Sequence, residues 1–196
     1  FKYSHLILEN YTYIYNMFIQ TQTTPNPNSL KFIPGKKVSS IGSLEIQKKD
    51  EISNILLKSI LSINGVESIF LDEDFLSVNK EENINWEDIK HIILALLNEY
   101  YANGKEIILE EKPQRENVEN YQEIEKQIIK ILDTKIKPAV ARDGGDIKFI
   151  EFKNGIVKVQ LRGSCAGCPS SVITLKQGVQ NLLTHYIPDV KQVEAI

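Results

Sequence analysis

The chain has 196 residues, 42% of them hydrophobic and 25% charged. That is the balance of an ordinary soluble fold with enough apolar matter for a core, and against roughly 150 residues per domain it allows one large domain or two small ones. With 23 Lys+Arg against 26 Asp+Glu, a formal charge of -3, the composition excludes a disordered chain and a collagen-like repeat, and it lacks the basic excess of a dedicated nucleic-acid binder. No apolar run approaches the ~20 residues needed to cross a bilayer, so no membrane partner is expected.

Residues 1–16 read as an uninformative N-terminal extension ahead of a natural start at Met17, the single methionine. The stretch has four tyrosines (Tyr3, Tyr11, Tyr13, Tyr15) and no arginine, which suits neither a transit peptide nor a secretory signal. A first unit follows over 17–104. Thr24-Pro25-Asn26-Pro27-Asn28-Ser29 is a turn, since each proline fixes its own φ and drives its predecessor out of the helical region. Leu30 to Ile33 is a strand stopped by Pro34-Gly35. Ile52, Ile55, Leu56, Ile60 and Ile63 fall at helical spacing before the stop Asn64-Gly65. Val66 to Leu71 and Phe75 to Val78 are short strands, and Trp86, Ile89, Ile93, Leu97 and Tyr100 line a second helix.

Residues 105–117 form a linker, charged and proline-bearing through Glu110 to Asn117, which leaves the two units free to move relative to each other. The second unit spans 118–196. Tyr121, Ile124, Ile128, Ile131 and Leu132 predict a helix that Pro138 ends, and Asp143-Gly144-Gly145-Asp146 is a tight turn rather than a cation site. Two strands, Ile147 to Phe152 and Ile156 to Leu161, are joined by the hairpin signal Asn154-Gly155. A last helix carries Val172, Leu175, Val179, Leu182 and Tyr186, with Gly178 marking a close packing contact, and Val190 to Ile196 add a strand. The expected fold is α+β: two small α/β-sandwich-like domains, the second of order α-β-β-α-β.

The chemistry concentrates at Cys165-Ala166-Gly167-Cys168, which holds both cysteines of the chain. A disulfide between residues three apart closes almost no loop and stabilises little, so the pair reads as thiols kept for metal binding or redox work. Pro169 suits the first position of a helix, placing Cys168 near an N-cap whose N–H groups and dipole favour a thiolate, with Arg162 adding positive charge. Zinc sites and iron–sulfur clusters take four protein ligands, and one chain offers two thiolates; His5, His91 and His185 do not complete the set. Two chains meeting about a two-fold axis would supply Cys165 and Cys168 twice. A thiol–disulfide oxidoreductase cycling the pair and a metal-bridged interaction module remain alternatives, although only residues 169–196 follow the motif, too few for a thioredoxin-like topology. No nucleophilic triad, phosphate loop or paired-carboxylate site stands out, so the chain reads as a non-enzyme.

Two segments carry a family resemblance. Asp143-Gly144-Gly145-Asp146, the hairpin, and Gly163-Ser164-Cys165-Ala166-Gly167-Cys168-Pro169-Ser170-Ser171 resemble the NifU C-terminal domain. Met17 to Gln22 and Thr24 to Phe32 resemble the N-terminal domain of Nfu-type proteins. The resemblance implies an iron–sulfur cluster scaffold or carrier. It implies a [4Fe–4S] cluster bridged between the Cys165 and Cys168 pairs of a homodimer and passed to apo-protein acceptors. The assembly and ferredoxin-like domains of fuller NifU proteins are not found in these residues, so a separate upstream scaffold is implied. The family's occurrence, with no transit-peptide pattern in 1–16, points to bacterial cytoplasm, with the mitochondrial matrix as the alternative.

Overall fold

In a computed structural model, residues 19–105, 107, 121–166 and 169–196 are described. The expectations for residues 1–16 and for the charged stretch 110–117 lie outside them. The fold is α+β, with a five-stranded and a three-stranded sheet.

The first sheet comprises β1 (Gln20–Thr23), β2 (Ser29–Ile33), β3 (Leu44–Gln47), β4 (Val66–Leu71) and β5 (Leu76–Lys80). Its order is β1-β2-β5-β4-β3 and every pairing is antiparallel. The period-two alternation of β2 and β5 divides this sheet into two unlike faces. Leu30, Phe32, Leu76 and Val78 turn inward and pack with α1 (Ile55–Leu61) and α2 (Trp86–Ala102) in one apolar core. Burying a Leu or Phe side chain stabilises by about 1.5–3 kcal/mol, so this face supplies most of the domain's cohesion. Ile107, just past α2, is buried in the same core. The alternate residues Ser29, Lys31, Ser77 and Asn79 are also buried, although polar. Another layer therefore covers the second face.

That layer is the second unit. Its helical segment is α3 (Glu123–Ile131), a π-turn over Leu132–Ile136, and α4 (Lys137–Arg142). Here the structure corrects the expectation that Pro138 ends the helix. Lys137 N–H reaches back to Leu132 O, an i→i−5 bond, and the wider turn lets Pro138 sit in the first turn of α4, where a missing N–H costs nothing. The chain then stays helical to Arg142. Strand β6 (Gly145–Lys153) pairs antiparallel with β7 (Ile156–Gly163), and β8 (Gln192–Ala195) joins β7 in parallel. Asn154 and Gly155 take φ of 55° and 83°, the paired positive values of a type I′ hairpin turn. Helix α5 (Pro169–Tyr186) covers this sheet, with Val179 and Leu183 in a core shared with Ile128, Ile147, Val157 and Val193. Gly178 makes no close packing contact, contrary to expectation: a methyl group built there meets nothing within 4 Å.

Candidate functional site

The cysteine loop links the end of β7 to the start of α5. Gly163 takes φ of +64°, which turns the chain out of the strand and which only glycine adopts readily. Ala166 N–H then donates to Gly163 O at 3.1 Å, and Ser164 N–H donates to Gly144 O at 3.2 Å. The Ser164 hydroxyl donates to Asp143 O. These bonds lay the loop against the Asp143–Asp146 turn.

Cys165 faces inward and is 6% exposed, within the core of the second unit. Its Sγ lies 3.9 Å from Ser164 Oγ. The thiol also passes close over Gly145, where an added Cβ would come within 2.7 Å of Sγ and 2.6 Å of Arg162 O. Cys168, with Gly167, lies outside the described residues. Helix α5 begins at Pro169, directly after the cysteine pair, where a helix N-terminus lends positive potential to a nearby thiolate. Arg162 directs Nε and Nη2 to Gln160 Oε1, at 3.2 and 3.1 Å. Burial raises the pKa of Glu45, and the Gly163 N–H and the Arg162 charge only partly oppose that rise.

The other sequence candidates fall elsewhere. His91 Nδ1 lies 3.2 Å from Glu87 O on α2, and His185 stacks edge-on against Tyr186 at the far end of α5. Asp146 accepts a hydrogen bond from Ser43 Oγ at 2.7 Å, so this residue of the turn serves the contact between the units. Among the described residues no group of three or more His, Cys, Asp or Glu converges to hold a metal ion.

Sequence reasoning missed the residues that reach the loop from the first unit. Asn26 Nδ2 donates to Ser164 O at 3.1 Å and more weakly to Ala166 O at 3.4 Å, the two carbonyls flanking Cys165. Asn79 Nδ2 donates to Gly163 O at 3.1 Å, while Gly163 N–H donates to Glu45 Oε1 at 3.3 Å. Lys31 Nζ donates to Ala141 O at 2.9 Å and lies 3.9 Å above the Phe75 ring. Burial pushes the Lys31 pKa down and the Glu45 and Asp72 pKa values up. The double-proline turn around Asn26 signals a rigid local frame, in which Asn26 Oδ1 accepts from Asn28 N–H at 2.9 Å, but nothing in it points to a partner in the second unit.

Residues 19–104 match the family "Scaffold protein Nfu/NifU N terminal", and residues 128–194 match the NifU-like domain family. The human NFU1 iron-sulfur cluster scaffold homolog, mitochondrial, is 44% identical over 183 residues, covering 92% of this chain and 72% of that protein. Its Drosophila persimilis namesake is 42% identical over 185 residues, and this chain spans 66% of that protein's length. NifU-like protein 4, mitochondrial, of Arabidopsis thaliana is 42% identical over 185 residues, covering 91% of this chain and 65% of that protein. The mitochondrial names of these relatives overturn the expectation of bacterial cytoplasm. With both domain families matched in order, and a relative 44% identical across most of its length, the chain belongs to the Nfu/NifU family.

Proposed function

We propose that this chain is an iron–sulfur cluster scaffold and carrier of the mitochondrial matrix, and that Cys165 and Cys168 hold its cargo. The observation that carries the reading is the cysteine pair at the head of α5, within a domain whose relatives are named iron–sulfur cluster scaffolds. Those names describe scaffolds and not enzymes, which fits a chain whose chemistry is ligation.

The ligand count gives the rest. A [4Fe–4S] cluster takes four thiolates, and one chain supplies two, so two chains facing each other through their cysteine loops would bridge one cluster. The helix N-terminus beside the pair favours the thiolate, the species that binds iron. Transfer then proceeds by ligand exchange. An acceptor thiolate forms a bond to one iron, the carrier's cysteine leaves that iron as thiolate and takes a proton from solvent, and the cluster keeps its electrons throughout. The cargo comes from an upstream assembly scaffold, and the acceptors are apo-proteins with vacant cysteine sets.

Cys165→Ser and Cys168→Ser each remove one of four ligands per cluster. Both variants are expected to fold and to lose the visible absorbance of a reconstituted cluster. Wild-type absorbance and iron content in either variant would overturn the assignment of that cysteine.

A further inference from the structure

The first unit closes on the second through a seam of unusual chemistry. The sheet face formed by Ser29, Lys31, Ser77 and Asn79 is polar yet buried, and it lies against the cysteine loop and the turn before β6. A Cβ built on Gly144 would meet Ser77 Oγ at 2.7 Å, and one on Gly163 would meet the Phe70 ring at 2.8 Å, so side chains of the first unit press directly on the second unit's backbone. Five side chains of the first unit bond across this seam, and four of their acceptors are backbone carbonyls: Gly163 O, Ser164 O, Ala166 O and Ala141 O.

Permanent interfaces are apolar and leave few polar atoms without partners. This one leaves three, namely Ser29 Oγ, Ser77 Oγ and Asn79 Oδ1. Each is buried without a hydrogen-bond partner among the described residues, and Ser77 and Asn79 lie directly against the second unit. Such a seam is held largely by hydrogen bonds that water can replace, the character of a contact that opens.

The position of the seam gives the opening a consequence. Asn26 holds the carbonyls on both sides of Cys165, and Asn79 and Glu45 hold both backbone groups of Gly163, while the Cys165 thiol is turned inward over Gly145. A ligand shared between two chains must face outward. We propose that the outer face of the first unit's sheet is a docking surface for this chain's own cysteine loop, and that docking holds Cys165 inward in a closed form that must release before a cluster is loaded. The closed form stands on geometry alone; its effect on loading rests on the function proposed above.

The test uses the full chain with Cys168→Ser, which leaves Cys165 as its one thiol, and reads the rate of alkylation by a maleimide relative to the rate in urea. Asn26→Asp is the sharpest variant. It keeps Oδ1 for the Asn28 N–H at 2.9 Å, but it replaces the donor with a carboxylate facing two carbonyl oxygens. Ser77→Lys is the second, a wedge at the contact with Gly144 on the face remote from the first unit's core. Both are expected to raise the alkylation rate by about tenfold or more, because reaction follows the open population. Unchanged rates in folded variants, judged by circular dichroism, would overturn the closed form.

The same two substitutions in chains with both cysteines are expected to speed uptake of iron and sulfide under anaerobic reconstitution. Faster alkylation with unchanged uptake would overturn the gating role. Faster alkylation in chains that all stay colourless would support the closed form and count against the carrier function, so the two failures are distinguishable.

Discussion

One methyl group at Gly145 is enough to disturb the centre of the site. Its Cβ would stand 2.7 Å from Cys165 Sγ and 2.6 Å from Arg162 O, and the second of these is backbone that cannot swing aside. Gly145→Ala is therefore expected to cost about 1–3 kcal/mol in urea unfolding and to displace the cysteine loop. An unchanged midpoint would show that β6 yields there without strain. The cysteines stand out in the sequence because both thiols of the chain fall in one CxxC pattern directly before Pro169, and that pattern alone leaves metal binding and redox chemistry open. Asn26 was not legible, because its carbonyl partner Ser164 lies 138 residues away and no local pattern encodes so distant a bond.

Elements were legible where they obey local rules. The Asn154-Gly155 hairpin, the helical stripe of α2 and the helix opening at Pro169 each follow from residues in contact along the chain. Strands β1 and β3 were not recognised from sequence. Each is four residues long, and their patterns, QTQT and LEIQ, bury little, so pairing with β2 and β4 defines them rather than their own composition. Pro138 misled for a related reason: a π-turn ahead of it absorbs the missing N–H, and a wider turn leaves no mark in hydrophobic spacing. Gly178 sits exposed in α5 with open space around it, so Gly178→Ala should stabilise the protein by about 0.5–1 kcal/mol through helix propensity. A lower melting temperature in that variant would mean that α5 packs against something at this position.

At the scale of the whole molecule, the contact between the two sheets' layers leaves no mark in the sequence. Alternating polar residues on β2 and β5 read as a solvent face, and only the second unit's position turns that face into a seam. The seam carries a pH signature. Burial pushes the Glu45 and Asp72 carboxyls above their ordinary range; the Gly163 N–H and then the Arg162 charge oppose this at Glu45, the Glu73 N–H opposes it at Asp72, and the Asp146, Asp74 and Glu73 charges add to it there. A carboxyl whose pKa rises on closing takes up a proton on closing. The closed form therefore gains as pH falls through the raised values, loses as pH rises past them, and gains nothing further below the ordinary carboxylate range. Amide-exchange protection at Gly163, normalised to its intrinsic rate, should be greater at about pH 5 than at about pH 7. Weaker protection at the lower pH would mean that these carboxyls do not control closing.

The central claim is that two chains hold one cluster between their cysteine pairs. Its most direct test is anaerobic reconstitution of the full chain with iron and sulfide, followed by size-exclusion chromatography with iron and sulfide analysis of each peak. The account predicts a brown dimer with about four irons and about four sulfides per two chains, the stoichiometry of one cubane held by four thiolates. A colourless monomer with both thiols titratable would contradict it.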